Sequence, residues 1–170
     1  MIAWRKTLTA LILTMPVIAT ANTGQVNGSA STSAEIILRI PDLVRISGLQ
    51  DMQLEWQGAD SSFRAANPLC VYRNGNDGHY SVRVSSNNGA GSGFQLTRED
   101  SSVPYQVNWN GVQLNDGISS GLLSGAHTSS SNCAGSNNVD LQVEVRAEDS
   151  HQASMTGLHS DTLTVTVVAE

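Results

Sequence analysis

The side chains in this 170-residue chain that could do chemistry are four histidines, two cysteines, 15 carboxylates and many serines. The histidines are His79, His127, His151 and His159. No two have the helical spacing of a metal pair, and none sits beside a second ligand on one strand face. Three lie in polar turns and His159 precedes the last strand, and each reads as a solvated imidazole. Glu148 and Asp149 fall in "EDS", Glu99 and Asp100 in "RED". Each could serve as acid or base, but glycoside cleavage needs two carboxyls at a set separation, which linear spacing does not provide. There is no GxSxG nucleophile motif. "GAGSG" at Gly89–Gly93 lacks the lysine and following helix of a phosphate loop. Asn27-Gly28-Ser29 matches a glycosylation sequon, a common chance match in so Asn- and Ser-rich a chain. No enzyme signature emerges, and no cofactor or metal is expected. A hydrolase is the enzymatic alternative, and it would need carboxylates converging in a cleft.

Cys70 and Cys133 depend on the compartment. "MIAWRKTLTALILTMPVIATAN" reads as a secretory signal. Arg5 and Lys6 lead an apolar run too short to span a bilayer. Ala19-Thr20-Ala21 is a peptidase site, so cleavage is expected between Ala21 and Asn22. The alternative is a short membrane anchor. In an exported chain an even cysteine pair points to a disulfide, closing a loop of roughly 60 residues and worth ~3–5 kcal/mol in the chain-entropy model. A free nucleophile or a metal ligand is the alternative, and no CxxC or HExxH accompanies it.

Removing Arg5 and Lys6 from 9 basic residues leaves 7, all arginine, against 15 acidic, a net charge of about −8. Such a surface does not suit nucleic acid or an anionic bilayer. No other stretch could cross a membrane, and the length suits one domain.

The elements that must hold these residues repeat with period two. Ile36, Leu38 and Ile40 alternate with Ile37 and Arg39; Met52, Leu54 and Trp56 with Gln53 and Glu55. Tyr80–Val84, Val103–Trp109 and Leu141–Ala147 do the same. Gly-, Ser- and Asn-rich turns lie between them. "RNGNDGH" predicts a hairpin from Leu69–Tyr72 to the Tyr80 strand. Trp56, Tyr105 and Trp109 could line a sugar-binding face, but their alternation favours core packing. No amphipathic stretch exceeds about two helical turns. The pattern predicts an all-β, antiparallel β-sandwich.

Two segments stand apart. "DTLTVTVVAE", Asp161–Glu170, has one apolar face in Leu163, Val165 and Val167, and nothing later in the sequence can pair with its other side. "NTGQVNGSASTSA", Asn22–Ala34, alternates Val26, Gly28, Ala30, Thr32 and Ala34 with polar residues, yet carries little bulk. A flexible leader is the plain alternative for it.

Together these features resemble a pilin subunit, and more narrowly the spore coat protein U domain of archaic chaperone–usher pilins. The C-terminal third carries most of the likeness. Gly157, Asp161, Thr162, Leu163, Thr164, Val165, Thr166 and Val167 fit the family's G-x-Y-x-D-T-L-T-V-T-V ending, with His159 where tyrosine is usual. Leu69–Ser86 and Val103–Gly111 resemble two further core strands. No cysteine precedes Cys70, and Ile36–Trp56 departs from the typical pattern.

The resemblance implies an immunoglobulin-like sandwich that lacks its last strand. The expected layout is signal peptide 1–21, leader 22–34 and one domain 35–170. Leu163, Val165 and Val167 would line the groove, and Glu170 would give a periplasmic chaperone a carboxylate to anchor. Val26, Gly28, Ala30, Thr32 and Ala34 would be the donor strand. The partners implied are that chaperone, an outer-membrane usher and neighbouring pilus subunits. The expected location is the periplasm in transit, then a fimbrium at the cell surface, with a role in adhesion or biofilm formation. The alternative is a self-complete secreted sandwich that binds carbohydrate or another surface ligand.

Overall fold

The structure is a computed structural model and describes residues 25–26, 29–89, 91, 93–152 and 156–170. The expected signal and its cleavage site at Ala21 and Asn22 lie outside these residues, as does Gly28. The chain divides into two units, residues 1–39 and Ile40–Glu170.

In the first unit, β1 (Gln25–Val26) pairs antiparallel with β2 (Ser29–Ala30), Val26 opposite Ser29. The alternating leader therefore turns back on itself here instead of running as one strand.

The second unit begins with β3 (Val44–Ser47), β4 (Phe63–Arg73) and β5 (Tyr80–Ser86). Four short strands follow: β6 (Gln95–Arg98), β7 (Ser101–Pro104), β8 (Gln106–Trp109) and β9 (Val112–Leu114). After a 3-10 turn at Cys133–Gly135 come β10 (Val139–Val145), one helical turn α1 (Ala147–Ser150) and β11 (Leu163–Ala169). Every ladder between these strands is antiparallel.

One sheet has the order β3-β4-β10-β8-β9. Opposite it, β5 pairs with β11 on one side. On its other side β5 bonds to residues 117–123: Gly117 donates to Val84, Ser120 to Val82, and Leu123 exchanges bonds with Tyr80. The two layers bury their apolar faces together. Leu69, Val71, Val107, Trp109, Leu141 and Val145 come from one, and Tyr80, Val82 and Val84 from the other. Trp109 Nε1 donates to Tyr80 Oη at 3.0 Å across the core, so the two largest buried side chains satisfy each other's polar ends. The fold is an all-β sandwich.

The Asn/Gly-rich link after β4 is a correction to the hairpin expectation. β4 pairs with β3 and β10, and β5 with β11, so "RNGNDGH" crosses from one sheet to the other. Leu69 and Val71 can pack against Val82 and Val84 only if the two strands belong to facing layers. Arg73 secures the crossing, with Nη1 donating to Asp77 Oδ1 at 2.5 Å and to the His79 carbonyl at 3.0 Å. A tight hairpin does form at β8–β9, where Asn110 (φ 49°) and Gly111 (φ 79°) take the positive angles of a type I′ turn.

The eleven residues of β4 change partner midway. Phe63–Leu69 pair with β10, and Cys70–Arg73 with β3. Pro68, which has no N–H, sits just before the β3 ladder.

Cys70 of β4 is bonded to Cys133 of the 3-10 turn, 63 residues on, and both are buried. Cys70→Ser and Cys133→Ser are expected to lose the same stability, about 2–5 kcal/mol. Urea unfolding with and without reductant checks this. Reductant should bring the wild type down to the mutants, and unequal mutants would contradict a shared bond.

Candidate functional site

The feature that the sandwich leaves open is the outer edge of β11. Leu163 pairs with Ser86, Val165 with Val84, Val167 with Val82 and Ala169 with Tyr80. β11 has no ladder on its other side among the described residues. Its burial alternates: Leu163, Val165 and Val167 are half-buried and packed on the core, while Thr164, Thr166 and Val168 are exposed. The core strands β5 and β10 bury the same kind of side chain fully. The stripe on β11 is therefore only half covered.

A second wall faces it. Ile46 of β3, Met52, Leu54 and Leu96 are likewise half-buried against the core. Residues 50–58 form no strand, although Met52 and Leu54 point in while Gln53 and Glu55 point out. The period-two pattern read from the sequence appears in burial at Met52–Glu55 but not at Trp56, and the ladder it predicted is missing. The segment just before β11, Thr156–Asp161, borders a cavity of 790 Å³. Met52, Leu54, Trp56, Phe63, Leu96 and Leu158 line it. Trp56 is 53% exposed, edge-on to Phe63 at 5.9 Å, so the core role expected of it holds only in part. Trp109 and Tyr105 are buried.

Asp161 fixes the start of β11. Its Oδ2 accepts from Tyr105 Oη at 2.5 Å and from Ser86 Oγ at 2.6 Å. Its Oδ1 accepts from the amides of Thr162 at 2.7 Å and Asn88 at 3.2 Å. The Asn88 side chain also donates to the carbonyls of Gln95 and Ser160. Beside this cluster, Ser86 N–H donates to Asp116. Gly89 lies so close to Asp116 that a Cβ there would sit 2.1 Å from its Oδ2. That contact, not a phosphate, accounts for the glycine. At the other end of β11, Glu170 Oε1 accepts from Ser81 Oγ at 2.5 Å. The strand is pinned at both ends while its outer edge has no ladder among the described residues.

Sequence reading singled out the β11 stripe but not its clamp. Tyr105 and Ser86 lie 56 and 75 residues from Asp161, and linear spacing carries no trace of their meeting. The one available signal was Asp161 itself, a charged residue directly before an alternating strand.

Burial first, then the Asp161 carboxylate, pushes the Tyr105 phenol well above its ordinary range. Unfolded tyrosine ionises at about pH 10. A raised folded pKa means the stabilisation is complete below pH ~10 and is lost as pH climbs above it. Spectrophotometric titration is therefore expected to find Tyr105 un-ionised until the domain unfolds in alkali. Ionisation of all the tyrosines near pH ~10 in the folded protein would contradict the clamp.

The other candidate groups do not converge. His151 Nε2 meets Asp60 at 2.9 Å, His159 Nε2 meets Ser101 Oγ at 3.0 Å, and His127 Nδ1 accepts from Ser130 N–H. Arg146 binds both Glu148 and Asp149. Among the described residues no group of three or more His, Cys, Asp or Glu could hold a metal, and no helix is long and apolar enough to cross a membrane. Of the leader positions, Val26 and Ala30 lie in the β1–β2 pair, and Thr32 and Ala34 in exposed chain without secondary structure.

No family model and no curated protein matches this chain. Among solved structures it is similar to a chain from work described as "Chaperone-tip adhesin complex is vital for synergistic activation of CFA/I fimbriae biogenesis". The identity is 15% and the TM-score 0.51, over 75% of this chain and 41% of that one. A likeness at this identity concerns the fold.

Proposed function

We propose that this protein is an exported structural or minor subunit of a chaperone–usher pilus. On this reading its sandwich is completed by a strand from another chain, and the fibre it joins serves surface adhesion or biofilm formation. The observation that carries the reading is the outer edge of β11, unpaired among the described residues, beside the half-covered stripe of Leu163, Val165 and Val167. An unpaired edge next to exposed core is a standing liability for a secreted domain. It becomes useful when a strand is added, because main-chain bonds supply affinity and side-chain pockets supply specificity. A periplasmic chaperone would fill the groove first, and a neighbouring subunit would replace it at the outer-membrane usher.

Three further points support the reading. The fold is similar to a chain from a fimbrial chaperone–adhesin study. The Asp161–Val167 motif resembles the ending of spore coat protein U domains. The wall at residues 50–58 alternates without a ladder, as expected of an edge whose neighbour comes from elsewhere.

The test is export with and without a pilus chaperone. Alone, the chain is expected to aggregate, polymerise or be degraded. With the chaperone it should be recovered as a one-to-one complex. A stable monomer that no pilus chaperone captures would sink the proposal.

A further inference from the structure

We infer that the cavity bounded by β8, β9 and α1 is a binding site for a neutral saccharide. It shares no residue with the Leu163, Val165 and Val167 stripe. The inference therefore goes beyond the strand-addition reading and stands or falls apart from it.

The cavity measures 410 Å³, within the ~300–1,000 Å³ usual for small-molecule sites. Phe94 and Tyr105 give it an apolar wall, their ring centroids 5.5 Å apart and both side chains buried. Six polar side chains also line it: Gln106, Gln113, Asn115, Asp116, Arg146 and Asp149. Strand pairing gathers them. Val107 opposite Leu114 places Gln106 and Gln113–Asn115 on adjacent chain segments. Glu144 opposite Gln106 brings the end of β10, and with it Arg146 and Asp149, to the same place.

These groups have bonding capacity to spare. Asp149 is only 7% exposed, a costly position for a charge. Its Oδ2 accepts from Arg146 Nε at 2.8 Å, and its Oδ1 has no partner among the described residues. Asp116 is likewise half engaged. Its Oδ1 accepts from Ser86 N–H at 2.7 Å, and its Oδ2 has no hydrogen bond among the described residues. Arg146 Nη1 meets Glu148 at 2.6 Å, which leaves Nη2 unpaired among those residues. The carboxamides of Gln106, Gln113 and Asn115 also have no partner there.

The donor and acceptor types select the ligand. An ionised carboxylate only accepts, a guanidinium only donates, and a carboxamide does both. An amine would satisfy the two carboxylates but leave Arg146 unmatched. An anion would satisfy Arg146 but face both carboxylates. A hydroxyl donates and accepts, so a ligand carrying several of them serves all six side chains. Two carboxylates against one guanidinium nearly cancel, which suits an uncharged molecule. The Phe94–Tyr105 wall suits the C–H face of a sugar ring, with the polar groups placed to fix its orientation.

The test titrates the full exported chain with maltose, cellobiose, lactose and diacetylchitobiose, followed by amide chemical shifts. Putrescine and inorganic phosphate are the cation and anion controls. At least one disaccharide is expected to bind and to shift amides of β8, β9 and α1, and neither control should. Gln113→Ala and Asn115→Ala, both at exposed positions, should each weaken binding about three- to tenfold. Asp149→Asn should weaken it more, because the lost acceptor is charged. Urea unfolding checks that each variant is folded. Asn108→Ala, opposite Gln113 but outside the cavity, should leave affinity within about twofold. Binding of putrescine or phosphate in place of the sugars would overturn the ligand class. Saccharide binding that Gln113→Ala and Asn115→Ala leave intact, or that Asn108→Ala weakens equally, would overturn the site. Failure of every probe to bind would overturn the inference as a whole. None of these readouts involves chaperone capture or strand addition, so the pilus reading is tested separately.

Discussion

Val165→Asp is expected to abolish recovery of the folded domain in the absence of a chaperone and to prevent its capture when one is present. Val165 is the middle of the Leu163–Val165–Val167 stripe on β11 and pairs directly with the fully buried Val84. A carboxylate there either keeps its charge beside the core or must take up a proton. Both outcomes are unfavourable, at about 2–4 kcal/mol for a half-buried site. That is a large share of the ~5–15 kcal/mol a domain commonly has, and β11 has a ladder on only one side among the described residues. The control is Thr166→Asp, one residue on. Thr166 is exposed and pairs with Arg83, so its change should stay within about 0.5 kcal/mol. Chaperone pull-down and urea unfolding of the two variants read the difference. Equal behaviour would mean the Val165 face is not a groove wall.

The second large effect is expected at Asp161. Asp161→Ala removes the acceptor for Tyr105 Oη, Ser86 Oγ and the amides of Asn88 and Thr162. Tyr105 is only 5% exposed, so its hydroxyl cannot turn to bulk water. Stranding a buried donor costs about 1–3 kcal/mol, more when the lost acceptor was charged. We expect a loss of about 2–4 kcal/mol. Asp161→Asn should recover part of it, since the amide oxygen can still accept. Hydrogen exchange should speed first at Leu163–Val165, where β11 is no longer pinned, and not in β10. A double-mutant cycle with Tyr105→Phe should give strongly non-additive losses, because the two side chains share one bond. Additive losses would show that the Tyr105–Asp161 bond contributes nothing and that Asp161 acts through its other partners.

Both variants act on β11 by different routes, one through its face and the other through its anchoring. They therefore separate two aspects of the edge. Val165→Asp should damage the acceptor surface even where the strand stays in register. Asp161→Ala should leave the surface chemistry intact but loosen the strand that carries it. On the proposed function, in which β11 receives a neighbour along its length, pinning the strand at its start would keep that edge in register.

Much of the sandwich was legible in the amino-acid order because burial in a sheet has period two. Val107–Trp109, Leu141–Val145 and Leu163–Val167 show the same alternation in sequence and in burial, whereas in Tyr80–Val84 the polar Ser81 is buried along with its apolar neighbours. The pairing of Cys70 with Cys133 also followed from count and compartment. Elsewhere local pattern misled. Asn/Gly turn residues report that the chain reverses but not which sheet it joins next, so the β4–β5 link looked like a hairpin. Met52–Trp56 alternates as a strand does, yet it has no ladder, because alternation records one-sided burial and not hydrogen bonding.

What the sequence determined by itself, then, is which residues face inward along each strand, since that depends only on neighbours one and two positions away. What tertiary structure alone decided is which strands meet and which edge is left unpaired. The joining of Asp161 to Tyr105 and Ser86, the second wall of Ile46, Met52 and Leu54 opposite β11, and the bonds of Asn74 to Pro41 and Leu43 all join residues tens of positions apart. Such contacts are settled by how two twisted sheets pack around one core, and no local spacing encodes them.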